Sequence, residues 1–267
     1  MRLLPLLFVA AMLCAAAPAG AQSLFLEDLT SPELREAIRA GTTTVIVPAG
    51  GTEQNGPHMT LGKHNARAHA LAGKIAAAVG HTVVAPVLAY VPEGRVSPPE
   101  AHMRFAGTIS IPPAAFRATL EGAAASLKQH GFKDIVFIGD HGGYQDDLDA
   151  VARKLNRAWA GSGVRAHYLG AYYRASEQGF ADALAAKGLS KAQIGTHAGS
   201  ADTSLQLALV PESVRGDQLA RAAREGAAGG AAGDPQAATV ALGQTGVDLV
   251  VAQSAAALRA ALAAPRP

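Results

Sequence analysis

Apolar residues recur along this chain in two alternating patterns. Thr43–Pro48 (TTVIVP) and Asp134–Gly139 (DIVFIG) are short, continuous and rich in β-branched residues, which predicts buried strands. Thr82–Ala85, Thr108–Ile111 and Val164–Gly170 predict three more. Ser31-Pro32-Glu33 predicts a helix start, with Ser31 as N-cap, proline at the first helical position and Gly41 as the stop. Asn65–Val79, Pro113–His130 and Asp146–Ala160 read as longer helices, and Ser204–Leu209, Asp217–Ala227 and Ser254–Ala263 as further ones. Strands separated by helices predict an α/β fold of three layers, helices on both faces of a mostly parallel central sheet. Ligands of such sheets bind beyond the carboxyl ends of the strands. The stretch Glu225–Gln236 (EGAAGGAAGDPQ) is low in complexity and predicts a flexible loop.

The amino-terminal segment follows another rule. Arg2 is a positive start, Leu3–Ala17 is apolar apart from Pro5, and Ala19-Gly20-Ala21 is a small-x-small cleavage site. Residues 1–21 therefore read as a secretory signal peptide, with a mature chain from Gln22 in the periplasm or outside the cell. No later run reads as long enough to span a membrane, so no membrane contact is expected after cleavage. The single cysteine, Cys14, lies within this segment, which leaves the mature chain without disulfides or thiolate chemistry. Hydrophobic residues at 49% supply a core, and 16% charged residues are too few for a disordered chain. A net charge of +2 without a basic cluster argues against nucleic acid as a partner.

Chemistry-bearing side chains gather in three glycine-flanked clusters: Gly50 to His58 with Gly62-Lys63-His64, Gly139 to Tyr144, and Gly195 to Thr203. Glycine permits tight turns and close backbone approach. Histidines and carboxylates brought together at strand ends suit a divalent metal such as zinc, iron or manganese.

The clusters resemble the creatininase (creatinine amidohydrolase) family. Gly51-Thr52-Glu53-Gln54-Asn55-Gly56-Pro57-His58 with His64, then Gly139-Asp140-His141-Gly142-Gly143-Tyr144, then His197-Ala198-Gly199-Ser200-Ala201-Asp202-Thr203-Ser204 follow its motifs in order. Ala101-His102-Met103-Arg104-Phe105-Ala106-Gly107-Thr108-Ile109 echoes a fourth. The resemblance implies one creatininase-like α/β domain over residues 22–267, hydrolysis of a C–N bond in a small cyclic or linear amide, and a homo-oligomer, often a hexamer. It also implies metal ligands at Glu53, His64 and His141. Where dinuclear members carry a second histidine and a bridging aspartate, this chain has Asn55 and His64. An imidazole offers one lone pair and cannot bridge as a carboxylate does. The expectation is thus one divalent metal per chain, zinc foremost, with iron or manganese as alternatives. His197 is the candidate proton shuttle, and Asp202 the second candidate for taking a proton from water. Tyr144, where the family has Asn, is expected to reshape the pocket, and Tyr172-Tyr173 to serve as core and interface material. The competing expectation is a non-catalytic periplasmic protein binding a small molecule or metal on a degenerate creatininase fold.

Overall fold

A computed structural model describes residues 23–266. The expected signal peptide, residues 1–21, lies outside the described residues. Four parallel strands form the sheet in the order β2-β1-β3-β4: β1 (Thr44–Ala49), β2 (Thr82–Val84), β3 (Asp134–Gly139) and β4 (Arg165–Tyr168). Alternation within β1 and β3 assigns side chains to the two faces. Val45, Val47, Ile135 and Phe137 point to one core, and Ile46, Val136 and Ile138 to the other. Both faces are covered, so these strands read as unbroken apolar runs.

The first face is covered by α1 (Ser31–Arg39), α3 (Pro113–Gln129) and α4 (Gln145–Ala158), through residues such as Ile38, Phe116, Leu120, Leu148 and Val151. The second is covered by α2 (Lys63–Val79), α5 (Gly170–Arg174), α6 (Phe180–Ala186), α8 (Ser200–Leu209) and α10 (Val240–Ala263). Leu71, Ile75, Phe180, Leu205 and Val250 fill that core. The short α7 (Lys191–Ile194) and α9 (Leu219–Glu225) complete the set. The expected three-layer α/β architecture is present.

Four local expectations are corrected. The cap of α1 is Thr30, whose side chain accepts from Glu33 N while Glu33 reaches back, placing Ser31 inside the helix. Thr108–Ile111 forms a single antiparallel bridge, Thr52 to Ile109, because Pro112 and Pro113 have no N–H with which to extend a ladder. The helix expected from Ser254 begins at Val240. With 24 residues and an 18-residue stretch of mean hydropathy 1.3, it is by length and composition long and apolar enough to cross a membrane, contrary to the expectation for the later runs. It packs against α8 and α2, with Gly243 against the backbone at Ser204. Finally, Glu225–Gln236 is built in: Ala231 is buried, and Ala232 bridges His197.

Candidate metal centre

The carboxyl ends of β1, β3 and β4 open on one side of the sheet, and the three clusters converge there. The loop after β1 carries Glu53, and the first turn of α2 carries Lys63, His64 and Arg67. Asp140 and His141 directly follow β3, and Tyr172 lies on α5 just after β4. His197 and Asp202 come from the α7–α8 loop and the start of α8. The chain leaving β2 runs beside the end of β1, with Leu88 N donating to Pro48 O, and delivers Glu93.

Glu53 is fully buried, and its two oxygens face different surroundings. Oε1 is crowded by basic side chains. His64 Nε2 lies 2.6 Å away and Lys63 Nζ 3.6 Å. His64 Nδ1 lies 2.7 Å from Asp140 Oδ2, which also accepts from Arg67 Nε at 2.8 Å. Arg67 in turn donates to Asp202 Oδ1 at 2.5 Å, and Tyr172 Oη donates to Asp140 Oδ1 at 2.5 Å. Asp202 also accepts from Lys63 and from Ala198 N. Oε2, by contrast, is buried without a hydrogen-bond partner, as are both oxygens of Glu93. His141 Nε2 stands 3.6 Å from Glu53 Oε2 and 3.5 Å from a Glu93 oxygen. Gly143 N, 3.1 Å from Nδ1, holds the ring in place.

These separations differ in kind. Distances of 2.5–2.8 Å are charge-assisted hydrogen bonds. Acceptors 3.5–3.6 Å apart are too distant for that, but tetrahedral ligands with bonds of about 2.0–2.2 Å lie roughly 3.3–3.6 Å from one another. Glu53, Glu93 and His141 therefore form a group that could hold a metal ion. Glu53, His102 and His197 form a second. There the histidines are already engaged by Gln54: His197 Nε2 donates to its carbonyl at 2.9 Å, and His102 Nδ1 lies 2.7 Å from its amide nitrogen. Unpartnered buried carboxylate oxygens, the feature that asks for a cation, concentrate in the first group.

Charge states follow the same division. Burial opposes ionisation of Glu53, but the His64 hydrogen bond and Lys63 outweigh it and hold the carboxyl well below its usual range. Burial and then the neighbouring Glu53 charge push Glu93 up to about 9. Two carboxylates in one dry site share a proton unless a cation replaces it. Burial lowers His141 to about 4 and His197 to about 3, so both rings are neutral at pH 7. With Nδ1 accepting from Gly143 N, the His141 proton sits on Nε2 beside the carboxylates, and a cation bound there takes its place. His197 Nδ1, opposite the nitrogen bound to Gln54, faces Glu53 Oε1 at 3.6 Å.

Of the residues expected as ligands, Glu53 and His141 meet, whereas His64 has both ring nitrogens occupied by carboxylates. Glu93, which the sequence reading passed over, stands in the third position. Asp202, expected as a second base, is held ionised and weakly basic: burial opposes its charge, but Lys63 and Arg67 keep its carboxyl well below the usual range. Asn55 is buried beneath the site and donates to Glu53 O and Thr60 O. Tyr144 does not shape the pocket. It is fully buried, its hydroxyl accepting from Asp140 N and His141 N and donating toward the Ala49 and Gly50 carbonyls. Tyr172 is core, as expected, but its hydroxyl also serves Asp140, while Tyr173 lines the cavity. His58 is structural, bonded to Thr203 Oγ1 at 3.0 Å. Gly51, at φ +145°, lets the backbone pass where a Cβ would collide with Glu93 Oε1.

Above this centre lies a cavity of about 690 Å³ lined by Gln54, Lys63, His102, Arg104, His141 and His197 among others, with Ala227–Ala232 forming one wall. A parallel α/β sheet with a carboxylate–histidine cluster at its strand ends defines the class: an α/β protein with a candidate metal site beyond the carboxyl edge of its sheet. The chain belongs to the creatininase family, whose model, creatinine amidohydrolase, matches residues 27–258. A mycofactocin precursor peptide peptidase of Mycolicibacterium smegmatis is 31% identical over 180 residues, 66% of this chain and 61% of that protein. The chain thus matches somewhat less than two thirds of that relative's length. Creatinine amidohydrolase of Pseudomonas putida is 26% identical over 204 residues, covering 74% of this chain and 76% of the relative. Among solved structures, a mutant creatininase of Zn-Zn type superposes with a TM-score of 0.72 at 23% identity, over 91% of this chain and all of that one. A manganese creatininase gives 0.73.

Proposed function

We propose that this chain is a metal-dependent hydrolase of C–N amide bonds with Glu53, Glu93 and His141 as ligands of one divalent cation per chain. The observation that carries this reading is a pair of buried carboxylate oxygens without a hydrogen-bond partner, Glu53 Oε2 and Glu93 Oε2, at 3.6 and 3.5 Å from His141 Nε2. A cation held there supplies Lewis-acid polarisation of an amide carbonyl and activation of water. The chain's own groups do the rest. Glu93 binds as a carboxylate once its shared proton is displaced. His64 and Asn55 hold Glu53 in position, one at the side chain and the other at the backbone. His197 Nδ1, kept free by the bond from Nε2 to Gln54 O, accepts a proton from attacking water and returns it to the leaving nitrogen.

Stoichiometry of one follows from the Oε1 side of Glu53. His64 and Lys63 bring hydrogen-bond donors where a second cation would need donor-free oxygens. Zinc suits two carboxylates and a histidine, and the zinc and manganese forms of the neighbours lend support to either metal. Export through a signal peptide ending at Ala21, and assembly into a homo-oligomer, belong to the same proposal.

The experiment is metal analysis of the purified protein before and after chelation, with turnover of a panel of cyclic and linear amides. About one equivalent of metal and chelator-sensitive hydrolysis are expected. Metal binding with no turnover of any amide would favour a binding protein. No metal at all would overturn the assignment.

A further inference from the structure

A second cavity of about 560 Å³ lies on the other side of the centre, and His141 lines both. Its walls are Pro92, Val96, Ile111, Pro112 and Pro113, with Glu93 and Gly143 at the inner end. The polar backbone of this wall is already satisfied: Glu93 N and Gly94 N donate to Ser110 Oγ, which donates to Gly94 O, and Ile111 N donates to Val91 O. Arg95 at the rim is paired with Glu100. Away from the centre, the cavity offers mainly apolar contact, and Val96 stands 60% exposed.

Each cavity falls in the range of roughly 300–1,000 Å³ typical of sites for drug-sized ligands. A single-ring amide fills a small part of one and nothing of the other. The first cavity is mixed, with Lys63, Arg104, His102 and Gln54 beside Phe105 and several alanines, whereas the second is lined mainly by carbon. A mixed chamber and an apolar one meeting at one histidine fit a substrate with two arms.

We propose that the second cavity is a subsite for an apolar side chain of an extended, peptide-like amide, whose scissile C–N bond lies at the Glu53–Glu93–His141 centre while its polar arm occupies the first cavity. This rests on the hydrolase reading and names its substrate class. Hydrolysis divides the substrate between the chambers: water adds OH to the acyl carbon and H to the leaving nitrogen, so each product keeps its own arm.

The test is a set of N-acetyl tetrapeptide amides differing at one residue (Val, Phe, Asp or Lys), placed in turn at each position. Turnover and binding to the metal-loaded protein are both measured. Apolar residues at one position should exceed Asp there by about tenfold or more in kcat/KM, the scale of one or two methylenes in an apolar pocket. Val96→Lys should shift that preference toward Asp, a gain that misfolding cannot produce, while Val96→Ile should retain the wild-type order. Circular dichroism checks that both variants fold. Creatinine-sized amides cleaved in preference to every peptide, or a preference that Val96→Lys leaves unmoved, would overturn the subsite. Selective binding of apolar peptides without turnover would uphold the subsite and overturn the hydrolase reading, so the two fail separately.

Discussion

The two oxygens of one side chain divide this site. On the Oε1 side of Glu53, Lys63, His64 and Arg67 meet Glu53, Asp140 and Asp202 in a closed set of contacts from 2.5 to 3.6 Å. On the Oε2 side, Glu93 and His141 wait at ligand distance with acceptors unfilled. The first arrangement is finished and rigid, and the second is completed by a ligand. The difference teaches where substitution costs stability and where it costs chemistry.

Arg67→Ala should cut most deeply on the finished side. It leaves Asp140 and Asp202 buried with reduced compensation, which costs about 3–5 kcal/mol for a broken buried pair, read as a lower urea midpoint. Glu93→Gln should do the reverse. Metal affinity should fall at least a hundredfold, about 2.7 kcal/mol by the usual conversion. The metal-free protein should unfold at an equal or higher temperature, because one of two crowded carboxyls is gone. Chelation should lower the melting temperature of the wild type and leave that of Glu93→Gln unchanged. If Arg67→Ala lost metal but kept stability, or Glu93→Gln lost stability but kept metal, the division would be wrong. Gly51→Ala is a finer probe. At φ +145° and against Glu93, it should cost about 1–3 kcal/mol and weaken metal binding by displacing Glu93, with Glu53 and His141 intact.

The smallest effect lies away from the site. Burial opposes ionisation of Asp134, but His167, Arg266 and Arg165 outweigh it and lower its carboxyl pKa. A depressed carboxylate contributes stability that is present above its unfolded pKa of about 3.9 and is lost as pH falls through the folded value. Urea midpoints measured from pH 5 downward should therefore decline less steeply in Asp134→Asn than in the wild type.

How much of this was legible beforehand differs by region. β1 and β3 stand out because both of their faces are buried and their residues are β-branched. The start of α10 was hidden because Gly243 and Gly246 interrupt the helical composition. In the fold those glycines are what let α10 approach Ser204 and Phe180 closely. Glu53, His141 and His197 declared themselves by sitting among glycines at strand ends. Glu93 could not, since it stands alone in Val91-Pro92-Glu93-Gly94, and only the path of the chain beside β1 brings it to Glu53. His64 was read as a ligand because its motif position is visible in sequence, whereas Asp140 and Glu53 closing on both of its nitrogens is not. Tyr144 differs from expectation for the same reason: its place beside the motif histidine predicts a pocket wall, and burial makes it a clamp on the backbone.

The placement of α10 governs how the chain can fold. β1, β3 and α2 are synthesised long before Val240, yet the outer side of the second core is closed only when the segment 240–263 docks on α2 and α8. Until then the faces of α2 and α8 that meet it lie open, and the latest helix carries the apolar face that closes them. Contacts between such distant parts of the sequence slow folding and leave oily surface exposed meanwhile. A nascent chain of this protein is thus a natural client for a holding chaperone, and shortening it before residue 250 would trap it in that state.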